Sequence, residues 1–180
     1  TTAIYETARL QSGHAAAYTY LKSVEYGNDA PGVADDFHFR MVLDYGEHDL
    51  TDPEPEIPTG TAWTLRPDPW SSFRPGFDHR CYRRCRRALL FHRFDALGES
   101  PVIVRSTLFE YDESAVISTM SSLQVEGWEP DGEGWTTITL PPLSFGYQGA
   151  TVEETVRFVD GLDDMPAGLD PSRWQFVDLD

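Results

Sequence analysis

Residues 63–94 read WTLRPDPWSSFRPGFDHRCYRRCRRALLFHRF, and this stretch is more informative than any other part of the chain. Within it, residues 79–93 (the arginine ribbon) hold six of the chain's 14 basic residues and none of its 30 acidic residues. The six are Arg80, Arg83, Arg84, Arg86, Arg87 and Arg93. The chain's own carboxylates can neutralise such a ribbon. We therefore expect buried or half-buried ion pairs between layers of the protein, rather than a site that recognises phosphate or an acidic partner.

The conformation of the ribbon is ambiguous from its pattern. Prolines at 67, 69 and 75 exclude a continuous helix upstream. Residues 77–94 fit either a helical stripe or an extended strand, and the strand is favoured because the neighbouring segments are strands. Alternation along a strand places Arg83 and Arg87 on one face. The same alternation places three further arginines on the opposite face: Arg80, Arg84 and Arg86.

The segments on either side of the ribbon indicate an all-β fold. Residues 37–45 alternate in polarity with the period of a half-buried strand. Further strands are expected at residues 18–26, 102–111, 115–125 and 135–140, at a short edge segment, 143–147, and in a terminal strand beyond residue 151. Residues 51–61 form a proline-rich loop, and residues 127–134 form a Gly/Pro/Asp-rich hairpin connection. We predict an antiparallel, sandwich-like domain with long loops over residues 1–149, and a separate segment over residues 150–180.

The composition excludes several classes of function. The net charge of −16 and pI near 4.5 argue against nucleic acid and against an anionic membrane surface as partners. No apolar run approaches the ~20 residues that span a bilayer, and no secretory leader opens the chain. The chain starts without Met and stops on an acidic Asp-Leu-Asp, so we expect it to be a piece of a longer protein. Two cysteines cannot build a disulfide framework.

Two thiols and two imidazoles in the ribbon would complete a tetrahedral zinc set: His79, Cys81, Cys85 and His92. Their spacing is not that of a zinc finger, which pairs its cysteines in a tight knuckle. On a strand, Cys81 and Cys85 would lie ~13 Å apart, too far to share one ion or a disulfide. We expect buried, inert cysteines, with no bound metal and no cofactor.

The segment DYGEHD, residues 44–49, gathers groups that could bind a metal or act as acid and base. It follows a strand and contains glycine, so a solvated turn is the favoured interpretation. A hydrolase that uses Asp44, Glu47 and His48 is kept as an alternative.

Five tryptophans among many carboxylates could line a sugar-binding groove: Trp63, Trp70, Trp128, Trp135 and Trp174. Burial in the core or pinning of loops is the commoner use of such rings. An extracellular carbohydrate-binding β-sandwich is therefore the second alternative function.

Six blocks of sequence, taken together, resemble one family. They are YLKSVEYGN (20–28), FRMVLDYGEHD (39–49), RPDPWSSFRPGFDHRCYRRCRRALLFHRF (66–94), VRSTLFEYDES (104–114), LPPLSFGY (140–147) and LDPSRWQFVDLD (169–180). In this order they resemble the N-terminal region of the B component of insecticidal Tc toxins and of SpvB-type virulence proteins. Residues 1–18 and the acidic segment around residues 121–135 lie outside the resemblance.

The resemblance implies a β-rich structural domain of a secreted toxin or virulence protein. In Tc toxins this region precedes a β-propeller, followed by Rhs repeats that form a shell around a toxic cargo. Residues 150–180 would then lead into the propeller. The expected partners are the propeller and Rhs shell of the same chain, and other toxin-complex subunits. The ADP-ribosyltransferase of SpvB-type proteins lies in a separate C-terminal domain, so no catalytic residue is assigned and no enzymatic activity is expected.

Overall fold

Ten β-strands and one turn of 3-10 helix make up the regular structure of the described residues. The computed structural model describes residues 16–148, except 32, 34–36, 62–63, 99 and 133, together with residue 155. The strands are β1 (Ala16–Ala17), β2 (Ser23–Asn28), β3 (Phe37–Asp44), β4 (Trp70–Ser72), β5 (His79–Cys81), β6 (Arg87–His92), β7 (Val102–Asp112), β8 (Thr119–Asp131), β9 (Gly134–Thr139) and β10 (Leu143–Ser144), and the 3-10 turn is Asp95–Leu97. The all-β fold class is confirmed.

The strands form one large and one small sheet. The seven-stranded sheet has the order β10-β8-β7-β6-β3-β2, with β9 also paired to β8, and every pair in it is antiparallel. The three-stranded sheet has the order β1-β5-β4, in which β1 and β5 are parallel. The chain divides into two compact units, Thr1–Tyr147 and Gln148–Asp180, and both sheets lie in the first. The predicted domains at 1–149 and 150–180 stay a prediction.

One face of the large sheet, the inner face, holds the hydrophobic core. Its buried apolar side chains are Val42, Leu89, Phe91, Ile103 and Trp128. The register explains why they meet, because Val42 lies opposite Leu89, and Phe91 lies opposite Ile103. Each such buried side chain contributes roughly 1.5–3 kcal/mol to folding.

The loop of residues 45–61 lies against the inner face. Pro53 and Pro55 in this loop are buried. Two polar contacts fasten it: Trp135 Nε1 donates to Asp52 at 2.8 Å, and Arg40 Nη1 donates to Glu56 at 2.8 Å. The loop predicted at residues 51–61 is thus confirmed as a segment without strands, and it covers the core.

The predicted single strand over residues 77–94 is wrong. The chain forms β5 in the small sheet, continues without strand pairing through residues 82–86, and then enters the large sheet as β6. The backbone N–H groups of Tyr82 and Arg83 donate to the Tyr20 hydroxyl at 2.7 and 3.1 Å, so a side chain takes the place of a neighbouring strand. The arginine ribbon therefore crosses from one sheet to the other.

The hairpin near residue 130 is present, but its predicted bounds are wrong. Strand β8 starts four residues later than expected, because Ser114 and Ser118 bond to each other in a turn. It then continues through Gly127, which pairs with β7 and β9, and through Pro130, which pairs with β9. The connection is tight, with Gly132 at φ 66°.

The remaining strand predictions agree with the structure, with shifted ends. Strands β2, β3, β7 and β9 correspond to the segments predicted from residues 18, 37, 102 and 135. The edge segment is shorter than expected, because regular pairing is confined to β10, although the Phe145 N–H still donates to Ser121 O at 2.9 Å. Pro141 and Pro142 separate β9 from β10. The strand expected beyond residue 151 lies outside the described residues.

Candidate functional site: a buried network of arginines and carboxylates

The arginine ribbon meets acidic residues from three distant segments. Asp44 and Glu47 lie at the end of β3, Asp68 precedes β4, and Glu113 follows β7. Arg87 pairs with Asp44 and Arg83 with Glu47, whereas Arg84 and Arg86 both contact Glu113. Arg83 and Arg87 thus stay on one side, and Arg84 and Arg86 on the other, as strand alternation predicted, but Arg80 does not join the second group. The expected buried ion pairs are present. We call the set "the network": Lys22, Asp44, Glu47, His48, Arg66, Asp68, Arg83, Arg84, Arg86, Arg87 and Glu113.

Asp44 and Arg87 organise the turn after β3. Arg87 Nε donates to Asp44 Oδ2 at 2.8 Å, while Asp44 Oδ1 accepts the N–H groups of Gly46, Glu47 and His48 at 2.7, 3.0 and 3.3 Å. The Arg87 guanidinium also donates to the carbonyls of His48 and Asp49 at 3.1 and 2.7 Å. Burial by itself would raise the pKa of Asp44, but the Arg87 guanidinium and the backbone donors outweigh it and lower the pKa.

Lys22, the chain's single lysine, fills the centre of the next cluster. Its Nζ lies 3.0 Å from Leu43 O, 2.8 Å from His48 Nε2 and 3.5 Å from Glu47 Oε2. An ammonium group can only donate, so His48 Nε2 accepts and the imidazole is neutral. Burial first, and then the charge of Lys22, lower the pKa of His48. Glu47 is shared with Arg83, whose Nη1 donates to Oε1 at 2.9 Å.

Asp68 is the centre of the second half of the network. Arg66 binds it with two bonds, Nε to Oδ1 at 3.1 Å and Nη2 to Oδ2 at 3.0 Å, and Arg84 Nη2 donates to Oδ1. The Ser118 N–H adds a bond of 2.8 Å to Oδ2. Burial opposes ionisation, but the bonds from Arg66 and Ser118 prevail and hold the pKa of Asp68 well below its usual range.

Three tyrosines line the arginines. The Arg84 guanidinium lies 4.7 Å from the centre of the Tyr111 ring, and that of Arg83 lies 5.5 Å from the Tyr20 ring. The Tyr111 hydroxyl donates to Cys85 O at 2.9 Å, and that of Tyr45 donates to Leu21 O at 2.9 Å. Burial, with nearby negative groups, raises the pKa of Tyr45 to about 12. These contacts combine cation–π attraction with satisfied hydrogen bonds.

The solvated turn predicted at residues 44–49 is wrong. Asp44, Glu47 and His48 are buried, and they offer ligand atoms within 4.8 Å of one another, the only such group of three or more among the described residues. Lys22, Arg83 and Arg87 already neutralise these carboxylates. A divalent cation would have to displace Lys22, whose Nζ lies beside both Glu47 and His48. Glu47 and His48 are only 6 % and 5 % exposed, although Asp44 and His48 contribute to the lining of a surface pocket. The Asp49 side chain is exposed and accepts hydrogen bonds from Thr51 and Asp52 in its own turn.

The four zinc candidates do not come together among the described residues. His79 stacks on Tyr18 with ring centres 3.7 Å apart, and His92 packs against Phe39 in the large sheet. Cys81 and Cys85 are free thiols; the Cys85 Sγ donates to Arg87 O at 3.3 Å. Burial, followed by the charge of Asp44, raises the pKa of Cys85 to about 11. Whether the protein binds a metal stays a prediction.

The described tryptophans do not share a groove. Trp128 is a core residue, and Trp135 packs edge-on against it at 6.1 Å. Trp70 is 45 % exposed but belongs to the small sheet, beside Tyr18. Trp63 and Trp174 lie outside the described residues.

The ribbon's remaining arginines lie outside the network: Arg80 donates to Ser71 Oγ at 3.2 Å, and the Arg93 backbone N–H donates to His38 O at 2.8 Å.

Comparison with known proteins assigns this chain to a family. Residues 1–94 match the family model described as Salmonella virulence plasmid 65kDa B protein, SpvB. The chain belongs to the SpvB family. The match covers more than half of the chain and includes every residue of the network except Glu113. The family resemblance expected from the sequence is therefore confirmed.

Relatives of this SpvB-family chain are considerably longer. The mono(ADP-ribosyl)transferases SpvB of Salmonella typhimurium and Salmonella choleraesuis are each 35 % identical, over 65 % of this chain and 22 % of the relative. The chain thus spans about a fifth of the length of the curated relatives it matches.

No helix among the described residues is long and apolar enough to cross a membrane.

Three solved structures share the fold. The N-terminal domain of effector protein SpvB from Salmonella typhimurium matches with a TM-score of 0.52 and 35 % identity, over 61 % of this chain and 38 % of that one. The crystal structure of TcdB2-TccC3-Cdc42 matches with a TM-score of 0.61 and 33 % identity, over 73 % of this chain and 7 % of that one. The Photorhabdus luminescens Tc holotoxin pore matches with a TM-score of 0.60 and 34 % identity, over 72 % of this chain and 7 % of that one. The SpvB-family domain described here is therefore related to Tc toxins.

Sequence reasoning found four of the five arginines of the network, all except Arg66, and missed most of their partners. Asp68 stood in a proline-rich segment that reads as a turn, and Glu113 stood at the end of a predicted strand. A usable signal was present for Lys22, because a single lysine among 13 arginines is unusual, and it lies in a sequence block that carries the family resemblance.

Proposed function

We propose that this chain is a non-catalytic structural domain of a secreted toxin-complex or virulence protein. It packs against other domains of its own polypeptide, a β-propeller and an Rhs-type shell, and against other toxin-complex subunits. The observation that carries the proposal is the network, in which Asp44, Asp68 and Glu47 are each held by cations from distant segments.

The protonation states of the network support a structural role. A buried charge is stable only when it is paired and hydrogen-bonded, and breaking such a pair is costly. Burial favours the neutral forms of Cys85 and Tyr45, so neither is poised as a nucleophile. The His48 Nε2 atom, which could accept a proton, is already bonded to Lys22 Nζ. The network is thus suited to joining the two sheets and the 44–50 turn.

The comparisons support placing any enzymatic activity elsewhere. The relatives named mono(ADP-ribosyl)transferases are matched over only 22 % of their length, and the solved SpvB structure that matches is an N-terminal domain. The Tc toxin structures are matched over 7 % of their chains. A domain that forms so small a part of each large protein fits a role in assembly.

The proposal is tested by comparing this domain alone with the same domain in the full-length protein. Temperature-resolved proteolysis, read by mass spectrometry on peptides from residues 87–112, reports when the large sheet unfolds. We expect a midpoint several degrees higher in the full-length protein, because docking stabilises the folded state. Equal midpoints would contradict packing, and transfer of ADP-ribose from NAD by the purified 180-residue chain would contradict the non-catalytic role.

A further inference from the structure

The large sheet has a second face, the outer face, formed by the residues that alternate with those of the core. Register fixes its members: Met41 lies opposite Leu90, Thr107 opposite Val125, and Phe109 opposite Leu123. These six side chains come from β3, β6, β7 and β8, the central strands of the sheet. The outer face is therefore apolar across its middle.

The apolar surface continues to both edges of the sheet. At the β2 end, Tyr26 stacks on Phe39 at 5.0 Å, and Phe39 also packs edge-on against Phe94 at 5.5 Å. At the β10 end, Leu143 lies opposite Leu123 and is 58 % exposed, and Ile138 on β9 is 66 % exposed. Six strands at ~4.8 Å spacing make this face roughly 25 Å wide.

The described residues cover the outer face only in part, although it is apolar. None of its six central residues is buried, whereas the inner face buries Val42, Leu89 and Ser106 in the same strands. The usual distribution in an antiparallel sheet is apolar on the covered side and polar on the solvated side. Here the covered side also takes the buried pair Asp44 and Arg87, and the open side takes the apolar residues. Apolar patches of several hundred Å² on soluble proteins mark interaction surfaces.

We propose that the outer face docks onto another domain of the same polypeptide, at a surface that is apolar and bears a carboxylate. The inference rests on the proposed structural function and names the surface that carries it out. The matched relatives and toxin chains have 78 % and 93 % of their length outside the matched region, so a covering domain is available in proteins of this kind. The first unit ends at Tyr147, two residues after Phe145. The Phe145 N–H bonds the β8 edge, next to the pair of Leu143 and Leu123 on the outer face.

The carboxylate is inferred from Arg105. This residue is exposed and lies opposite Leu90 and Gly127 in the middle of the outer face. No carboxylate pairs with it among the described residues, although the chain has 30 acidic residues and many of the described arginines are paired. A cation inside an apolar interface needs a counter-charge, and an acidic side chain of the docked domain provides it.

Cysteine labelling tests the inference. Thr107→Cys places a thiol on the outer face, and Val125→Cys is a second position should the first destabilise the fold. Ser100→Cys and Glu54→Cys are matched controls, because Ser100 lies beside Arg40 and Phe91, on the inner-face side, and Glu54 is exposed in the loop that covers the inner face. Maleimide labelling is read for each peptide by mass spectrometry, in the 180-residue chain and in the full-length protein.

We expect both outer-face thiols to label at least tenfold more slowly in the full-length protein, while the controls label equally in both. Protection of the controls with an open outer face would overturn the inference and leave the proposed function standing. Equal labelling everywhere would overturn both. Slow labelling of the outer face already in the 180-residue chain would also overturn the inference, since the face would then be covered without any other domain.

Charge reversal tests the carboxylate. In the full-length protein, Arg105→Glu should restore fast labelling of the Thr107→Cys thiol, because it places two negative charges together in an apolar interface. Arg105→Lys keeps the charge and should preserve the protection. Unchanged protection in the Arg105→Glu variant would overturn the inferred carboxylate.

Discussion

Asp44 and Arg87 face each other across neighbouring strands, and both are buried at the point where the hydrophobic inner face ends. The pair continues the row of core residues with two opposite charges. Because Arg87 also binds the carbonyls of His48 and Asp49, this one contact fixes both the end of the sheet and the turn that follows it.

Replacing Arg87 should be among the most damaging single changes in the domain. Arg87→Ala leaves Asp44 buried without its counter-charge, which we expect to lower the free energy of unfolding by about 3–5 kcal/mol. Urea unfolding followed by circular dichroism measures the change. Arg74→Ala is the matched control, since Arg74 is exposed in a turn, and its effect should stay within about 0.5 kcal/mol. Similar losses for the two variants would show that the buried pair is not special.

Arg84 and Arg86 should differ in their contributions, although they are close in sequence and share Glu113. The Arg84 side chain is 5 % exposed and also binds Asp68, whereas that of Arg86 is 37 % exposed. We expect Arg84→Ala to lower the melting temperature by many degrees and Arg86→Ala by only a few, because exposed ion pairs contribute about 1 kcal/mol or less. Differential scanning calorimetry makes the comparison, and equal shifts would contradict the different burial.

Stability should fall as the pH drops below about 6.5, the pKa of an unfolded histidine. The folded-state pKa of His48 is lowered, so the unfolded chain takes up the proton first and acid favours unfolding. The stabilisation is complete above about pH 6.5. It is lost progressively as the pH falls towards the folded-state pKa of His48, with a slope of at most about 1.4 kcal/mol per pH unit. Unfolding free energies between pH 7.5 and 5 should fall less in His48→Gln, and identical profiles would count against this assignment.

Cys85 should be almost unreactive in the folded protein. Its thiol pKa is raised to about 11, so at pH 8 the thiolate is roughly a hundredfold scarcer than in an unfolded chain. In a Cys81→Ser background, iodoacetamide should modify Cys85 slowly in buffer and rapidly in urea. Fast alkylation of the folded protein would contradict the raised pKa.

Part of this fold could be predicted because its signals are local. The alternation of residues 37–45 is a property of the strand itself, and β3 forms there. The arginine ribbon was expected to be neutralised internally, because its charge contrasts with the acidity of the rest of the chain. The family resemblance depended on blocks that could be read directly from the sequence.

The rest depended on contacts between distant segments. The change of sheet at residues 82–86 needs the Tyr20 hydroxyl, which lies more than 60 residues away along the chain. The turn after β3 looks solvated until Lys22 and Arg87 are placed beside it. Strand β8 keeps Gly127 in regular pairing because both neighbouring strands pair with it, and it keeps Pro130 because β9 does. None of these partners can be read from the segment they control.

The proline pair between β9 and β10 bears on solubility. Pro141 and Pro142 have no N–H to donate, so they interrupt the row of hydrogen-bond donors along the outermost part of the sheet. A long uninterrupted edge would offer a template onto which a second molecule could add its own strand. Because the prolines divide this edge into two short pieces, it is a poor template for the addition of a strand from a second molecule.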